Sequence, residues 1–226
     1  MIFKIFLSAL IGYVIGGINP AYLIAKFKGF DIRNHGSGNA GASNAVLTMG
    51  KKVGLISALF DILKAFAAVK LAVYVFADVA LSGVVAGVGC ILGHIYPFLM
   101  RFRGGKGLAC LGGVVLAYNP AVFAFLFCIE LFVLLFIDYI CIVPITASIA
   151  FPLIYYRMEE NALIGALIYS IATVVILYKH IENLKRIKNG TEARISCLWK
   201  KKDEIEQMRE QIVCDALLDD RQDTEL

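Results

Sequence analysis

The sequence predicts an all-α polytopic membrane protein with about seven transmembrane helices, its N-terminus outside and its C-terminus cytoplasmic. Three observations carry that prediction. The 226-residue chain is 59% hydrophobic with a mean hydropathy of +0.75, where soluble domains are roughly 45–50% apolar. Its apolar residues gather into runs near the length of about 20 that crosses a bilayer. Its cations gather in alternate loops, and positive charge marks the cytoplasmic face.

The first span runs from Ile2 to Ala25. It is too long for a signal-peptide core and is read as retained. A polar, glycine-rich loop follows from Lys26 to Lys52, then a second span from Val53 to Phe76 that contains Asp61 and Lys64. The third covers Val79–Phe98. The fourth, Leu108–Ala117, is short enough to need part of the preceding loop within the membrane. A turn at Tyr118-Asn119-Pro120 leads to the fifth, Ala121–Ile137, and Asp138-Tyr139 to the sixth, Ile140–Tyr156. The seventh is Ala162–Tyr178, and the remainder reads as soluble. Residues 1–194 form the expected membrane domain and 195–226 a cytoplasmic tail, basic and then acidic. Nine of the eighteen acidic residues lie between Asp203 and Leu226, so the net charge of +4 averages two opposed regions. Ile205, Met208 and Ile212 would allow a short amphipathic helix there; a solvated tail fits equally well.

Seven spans put the loops after the first, third, fifth and seventh on one side. Those loops carry Lys26, Lys28, Arg33, Lys51, Lys52, Arg101, Arg103, Lys106, Lys179, Lys185, Arg186 and Lys188, whereas the opposite side has Lys4 and Arg157. Every glycine-rich polar segment then faces the cytoplasm.

Chemistry concentrates in three such segments. Gly93 to Gly107 brings Arg101, Arg103 and Lys106 together with Gly104, Gly105 and Gly107 just before an apolar span. Glycines let backbone N–H groups approach an anion, and helix N-termini attract one; the alternative is a basic loop that only marks topology. His35 to Asn44 supplies hydroxyl and amide donors, or is a plain linker. His180 and Asn183 share a helix face ahead of Arg186 and Glu192; a basic stretch on anionic lipid explains the lysines nearby but not these two. Asp61 and Lys64, at i, i+3 in a membrane helix, are read first as a structural ion pair.

Other chemistries lack their patterns. Lys106 is followed by Gly107 and Leu108, which is no Walker A sequence, and no G-x-S-x-G elbow occurs. No histidine has an aspartate five residues on; Ala40, Leu99 and Lys185 stand there. The cysteines have no C-x-x-C spacing and the histidines no metal-ligand pattern.

Taken together, Gly36-Ser37-Gly38-Asn39-x-Gly41-Ala42-x-Asn44, Gly93-His94-x-x-Pro97 through Gly104-Gly105-Lys106-Gly107, and His180-x-x-Asn183-x-x-Arg186-x-x-x-Gly190-x-Glu192 resemble the bacterial membrane glycerol-3-phosphate acyltransferases that use acyl phosphate, the PlsY family. The resemblance covers residues 1 to about 194. It implies transfer of an acyl chain from acyl phosphate to the 1-hydroxyl of glycerol 3-phosphate, at the cytoplasmic face of the bacterial inner membrane. It implies no cofactor, no metal and no nucleic acid, with membrane lipids as surroundings. Lys106, His180, Asn183 and Ser37 would be catalytic. Gly36, Gly38, Asn39, Asn44, Gly104, Gly105, Gly107, His94, Arg186 and Glu192 would bind substrate phosphate.

The chain departs from the family pattern. Leu47 stands where an arginine is usual. Asp138-Tyr139-Ile140-Cys141 followed by Pro144 replaces Arg-Tyr-Val-Ser with a second serine, Cys110 a threonine, and Ile181 an arginine. Two further readings follow: a non-catalytic or altered-substrate paralogue that binds lipid phosphates, and a small phosphate transporter.

Overall fold

In the computed structural model, which describes residues 1–159, 162–192, 194 and 196, nine α-helices and two short 3-10 turns carry the chain, with no strand among the described residues. The helices are α1 (Ile2–Gly16), α2 (Pro20–Phe27), α3 (Ala42–Met49), α4 (Lys51–Val75), α5 (Ser82–Ile95), α6 (Leu108–Tyr118), α7 (Pro120–Ile137), α8 (Ile142–Met158) and α9 (Leu163–Lys188).

The first predicted span has the right extent but is broken. Gly17-Ile18-Asn19 interrupts it, and Asn19 starts a new helix: its side-chain oxygen accepts the Tyr22 N–H at 2.9 Å, with Pro20 in the first turn. Asn before Pro is a helix-start pattern, and the apolar flanks had hidden it. The first polar loop is likewise not all loop, since it contains α3. The third span is shorter than expected, beginning at Ser82. The seventh exceeds its expected end by ten residues and reaches Lys188. The second, fourth, fifth and sixth spans correspond to α4, α6, α7 and α8. α6 has 11 residues, about 16 Å of helix, roughly half the hydrocarbon thickness. The expected tail helix lies outside the described residues.

α5 is the most enclosed of the long apolar helices, and α1 lies against it backbone to backbone. A methyl group on Gly12 would strike the Ala86 carbonyl, one on Gly16 that of Cys90, and one on Gly93 that of Tyr13. Small residues at four-residue spacing allow this approach in lipid, where dispersion and weak polar contacts drive association. α4 sits beside α1, α5 and α6 and buries Asp61 and Lys64 there. α8 and α9 form a second layer around Phe151, Tyr155 and Tyr169. α7 is the outlier. Its Phe125, Phe127, Phe132 and Phe136 are exposed, as suits a lipid-facing helix, and Glu130 reaches Thr146 of α8 at 2.6 Å. The chain is an all-α membrane protein, and the loops between these helices bring the polar segments together at the Asn34–Asn44, Gly104–Gly107 and His180–Glu192 end.

Candidate active site

The first wall is the loop between α2 and α3. Asp31 holds it at one end: its carboxylate takes N–H bonds from the Arg33 backbone at 3.0 Å and side chain at 2.9 and 2.6 Å. The Arg33 guanidinium draws the Asp31 pKa down to about 2, and its Nη1 reaches the Met100 carbonyl at 2.6 Å. Asn44 holds the other end. Its Nδ2 faces the carbonyls of Ile32, His35 and Asn39 at 3.0, 2.9 and 2.7 Å, and its Oδ1 accepts the Ser37 N–H at 2.8 Å. Gly36 and Gly38 adopt φ of +59° and +73°, where other residues are strained, and a Cβ on Gly36 would meet Asn44 Oδ1. Asn39 closes its own turn by accepting the Gly41 N–H at 2.8 Å and donates to the Ser37 hydroxyl at 3.0 Å. This framework presents the Ser37 hydroxyl to solvent.

The second wall is the glycine loop. Gly104 donates its N–H to Ile95 O at 3.0 Å and Gly105 to His94 O at 3.1 Å. A methyl group on Gly104 would enter the His94 carbonyl, and one on Gly105 the edge of the His94 ring at Nε2. These glycines allow close packing on α5; their amides are not offered to a ligand. Gly107, at φ +93°, turns the chain into α6. Lys106 and Gly107 make no backbone hydrogen bond through their N–H groups among the described residues, so the available amides begin there, at the start of α6.

The third wall is the end of α9. His180 and Asn183 are buried on one face. The His180 Nδ1 lies 2.7 Å from Ile176 O. The carbonyl can only accept, so Nδ1 carries a proton, and Nε2 is the ring's second nitrogen. Asn183 Oδ1 accepts from Lys106 Nζ, and its Nδ2 donates to Glu192 Oε1 at 2.6 Å. Glu192 also accepts from Arg186 Nε at 2.7 Å. Burial pushes the Lys106 pKa below its ordinary value, Arg186 pushes the same way, and Glu192 opposes both.

Besides the reach of Arg33 to the Met100 carbonyl, further contacts join the walls. Ala40 N–H donates to Gly104 O at 3.2 Å, and Lys106 reaches Asn183. The structure therefore assembles Ser37, Lys106, His180, Asn183, Arg186 and Glu192 at one end of the bundle. It gives five of the expected phosphate ligands a different place. Asn44 is fully buried with its amide spent on the loop, and Gly104 and Gly105 spend their amides on α5. Glu192, an anion, takes hydrogen bonds from two site residues, where it would repel phosphate. His94, also expected to bind phosphate, lies beneath the loop with Asp61 and Lys64. Leu47 is 44% exposed on α3, so nothing in the fold excludes a longer side chain there.

Sequence reasoning missed Asn19, whose Nδ2 donates to Ala40 O at 2.8 Å. Its pairing with Pro20 signals a helix start, but no local pattern signals that second bond. Asp61, His94 and Cys110 offer three buried ligand atoms within 4.8 Å of one another. The Lys64 ammonium already occupies that space, 2.5 Å from Asp61 Oδ1 and 3.2 Å from His94 Nδ1.

Residues 6–190 match the family model described as glycerol-3-phosphate acyltransferase. A glycerol-3-phosphate acyltransferase of Aquifex aeolicus is 37% identical over 193 residues, 84% of this chain and 99% of its own. That of Clostridioides difficile is 34% identical over 201 residues, 86% and 97% of the two chains. Among solved structures, the chain is similar to the glycerol 3-phosphate form of PlsY, an integral membrane glycerol 3-phosphate acyltransferase, with TM-score 0.77, 36% identity, and 86% and 96% of the two chains covered. The lysophosphatidic acid form gives 0.73, 35%, 84% and 94%.

Proposed function

Because the chain belongs to the glycerol-3-phosphate acyltransferase family, we propose that it acylates the 1-hydroxyl of glycerol 3-phosphate from acyl phosphate. The products are lysophosphatidic acid and inorganic phosphate, in the first acylation of phospholipid synthesis. The observation that carries this reading is the convergence of Ser37, Lys106, His180 and Asn183, which suits a reaction between two phosphate-bearing substrates.

Two phosphates must be held together against their repulsion. The Lys106 ammonium, the amides of Lys106 and Gly107 and the N-terminus of α6 are the groups available to hold them. The Ser37 hydroxyl serves from the opposite wall. The glycerol oxygen attacks the acyl carbonyl carbon, the bond from that carbon to the bridging phosphate oxygen breaks, and phosphate leaves with the electron pair. His180 Nε2, in the neutral ring, accepts the hydroxyl proton and passes it to the leaving phosphate. Lys106 offsets the charge that grows on that phosphate, and Asn183 aims Lys106. Acyl phosphate is activated already, so positioning and charge stabilisation suffice without a protein nucleophile.

We place the site at the cytoplasmic face of a bacterial inner membrane, in a seven-span domain of residues 1–194 with its N-terminus outside. The cation asymmetry between Lys26–Lys188 loops and the Lys4 and Arg157 side supports this.

The test is transfer to labelled glycerol 3-phosphate by purified protein, with acyl phosphate and acyl-CoA in parallel. Transfer from acyl phosphate alone is expected, and absence of transfer from either donor in folded protein sinks the reading. Leu47, where the family usually has arginine, favours one alternative, a paralogue that binds glycerol 3-phosphate without turnover. Binding without transfer in the same preparation would establish it.

A further inference from the structure

Asp61 and Lys64 are 2% and 5% exposed, and His94 beside them 3%. Charges at such a place in a membrane domain are expensive, and a well-packed apolar pair of similar size is often as stable or more so. Packing alone therefore does not account for the pair. Neither residue is open to a substrate. Their contacts lead instead to the two loops of the site.

The Lys64 ammonium lies 2.5 Å from Asp61 Oδ1, donates to the Ile18 carbonyl at 2.6 Å and lies 3.2 Å from His94 Nδ1, which is itself 3.4 Å from Asp61 Oδ1. Ile18 lies in the break between α1 and α2. The next residue, Asn19, is 2% exposed and donates Nδ2 to Ala40 O. Ala40 donates its own N–H to Gly104 O. Gly104 and Gly105 donate to Ile95 and His94, and the edge of the His94 ring abuts Gly105. The path returns through His94 Nδ1 to Lys64. It is a closed ring of hydrogen bonds and peptide links, and it passes through the loop that presents Ser37 and the loop that presents Lys106.

We propose that Asp61 and Lys64, with Asn19, are positioning residues that set the separation between the Ser37 wall and the Lys106 wall. Lys64 is the node. It fixes where the broken first span meets α5, and so fixes both loops relative to one another. Asp61 holds the ammonium in place and compensates its charge. A site that must bring a hydroxyl oxygen to an acyl carbon depends on that separation, and a misplacement of 1 Å can cost about 10²-fold in rate.

The inference rests on the acyl-transfer reading, and wild-type turnover tests that reading separately. The experiment compares four purified full-length proteins: wild type, the paired Asp61→Leu/Lys64→Met, Asn19→Ser, and all three substitutions together. The paired change removes both charges, so no buried ion is left alone. Asn19→Ser keeps an oxygen to cap α2 but is too short to reach Ala40. Transfer from acyl phosphate to glycerol 3-phosphate is measured alongside elution profile and thermal midpoint in detergent.

The paired variant and Asn19→Ser are each expected to lose about 10- to 100-fold in kcat, with elution and midpoint near wild type. Because both open the same ring, the triple variant should be no slower than its slower parent. Wild-type kcat in either folded variant, or losses that multiply in the triple variant, would overturn the proposal. If the pair fails to fold, Asn19→Ser decides alone: a drop in kcat with an intact midpoint supports the ring, and unchanged kcat overturns it. No turnover by wild type overturns the functional reading instead.

Discussion

Truncating Asn183 isolates the contact that aims Lys106. In Asn183→Ala the Lys106 ammonium loses its amide acceptor, and Glu192 loses one of its two donors while keeping Arg186. A hydrogen bond to a charged group is worth about 1.5–3 kcal/mol, and each 1.4 kcal/mol is a factor of ten in rate. If the lost energy falls on the transition state, kcat drops about 10- to 150-fold. Lys106 would still attract anions, so KM for glycerol 3-phosphate should change less than kcat. The assay is initial-rate transfer at saturating acyl phosphate, on protein with a wild-type elution profile. A kcat within threefold of wild type, or a rise in KM with kcat intact, would refute the idea that Asn183 works by orienting Lys106.

Four other expectations can be checked on the same preparation. Arg186 lowers the Lys106 pKa, and its removal also leaves Glu192 free to raise it. Arg186→Gln should therefore move the alkaline limb of the kcat–pH profile to higher pH, and a shift to lower pH would remove Lys106 as the group behind that limb. Gly105→Ala should slow transfer in folded protein by pushing the loop off the His94 ring; unchanged transfer would mean the loop absorbs the methyl group. Leu47→Arg should lower KM for glycerol 3-phosphate, since an arginine–phosphate contact is worth about 1.5–3 kcal/mol; an unchanged KM would mean that position no longer faces the substrate. Asp31, at about pKa 2 against an ordinary 3.8, stabilises the first loop fully above pH 4. That contribution fades as pH falls through about 2, and faster amide exchange across residues 31–45 at low pH would report it.

Much of this was legible in the residues because membrane physics writes plainly in sequence. Apolar runs of the right length located α4, α7 and α8 within a few residues. The three polar segments marked where chemistry concentrates, and the family resemblance they carry implied Ser37, Lys106, His180 and Asn183 as its groups. Two kinds of information were hidden. One was local geometry masked by composition: Asn19-Pro20 starts a helix inside an apolar run, and α3 hides in a polar loop. The end of α9 was hidden too, because a helix can outlast its apolar face. The other was the use of each polar group. Asn44, Glu192 and the Gly104 and Gly105 amides have the chemistry of ligands, but three-dimensional neighbours consume them. Only long-range contacts such as Asn44 to Ile32, or Gly105 to His94, show which donors remain.

The length of α9 carries a mechanical consequence. Its 26 residues make a rod of about 39 Å, but only the part up to Tyr178, about 24 Å, is apolar. Lys179 to Lys188 continue the same rod as polar turns that carry His180 and Asn183. Those two side chains are therefore mounted on unbroken helix, whereas Lys106 comes from a loop packed on α5. Two members of the site keep the spacing that helical geometry sets, and the third is brought to them.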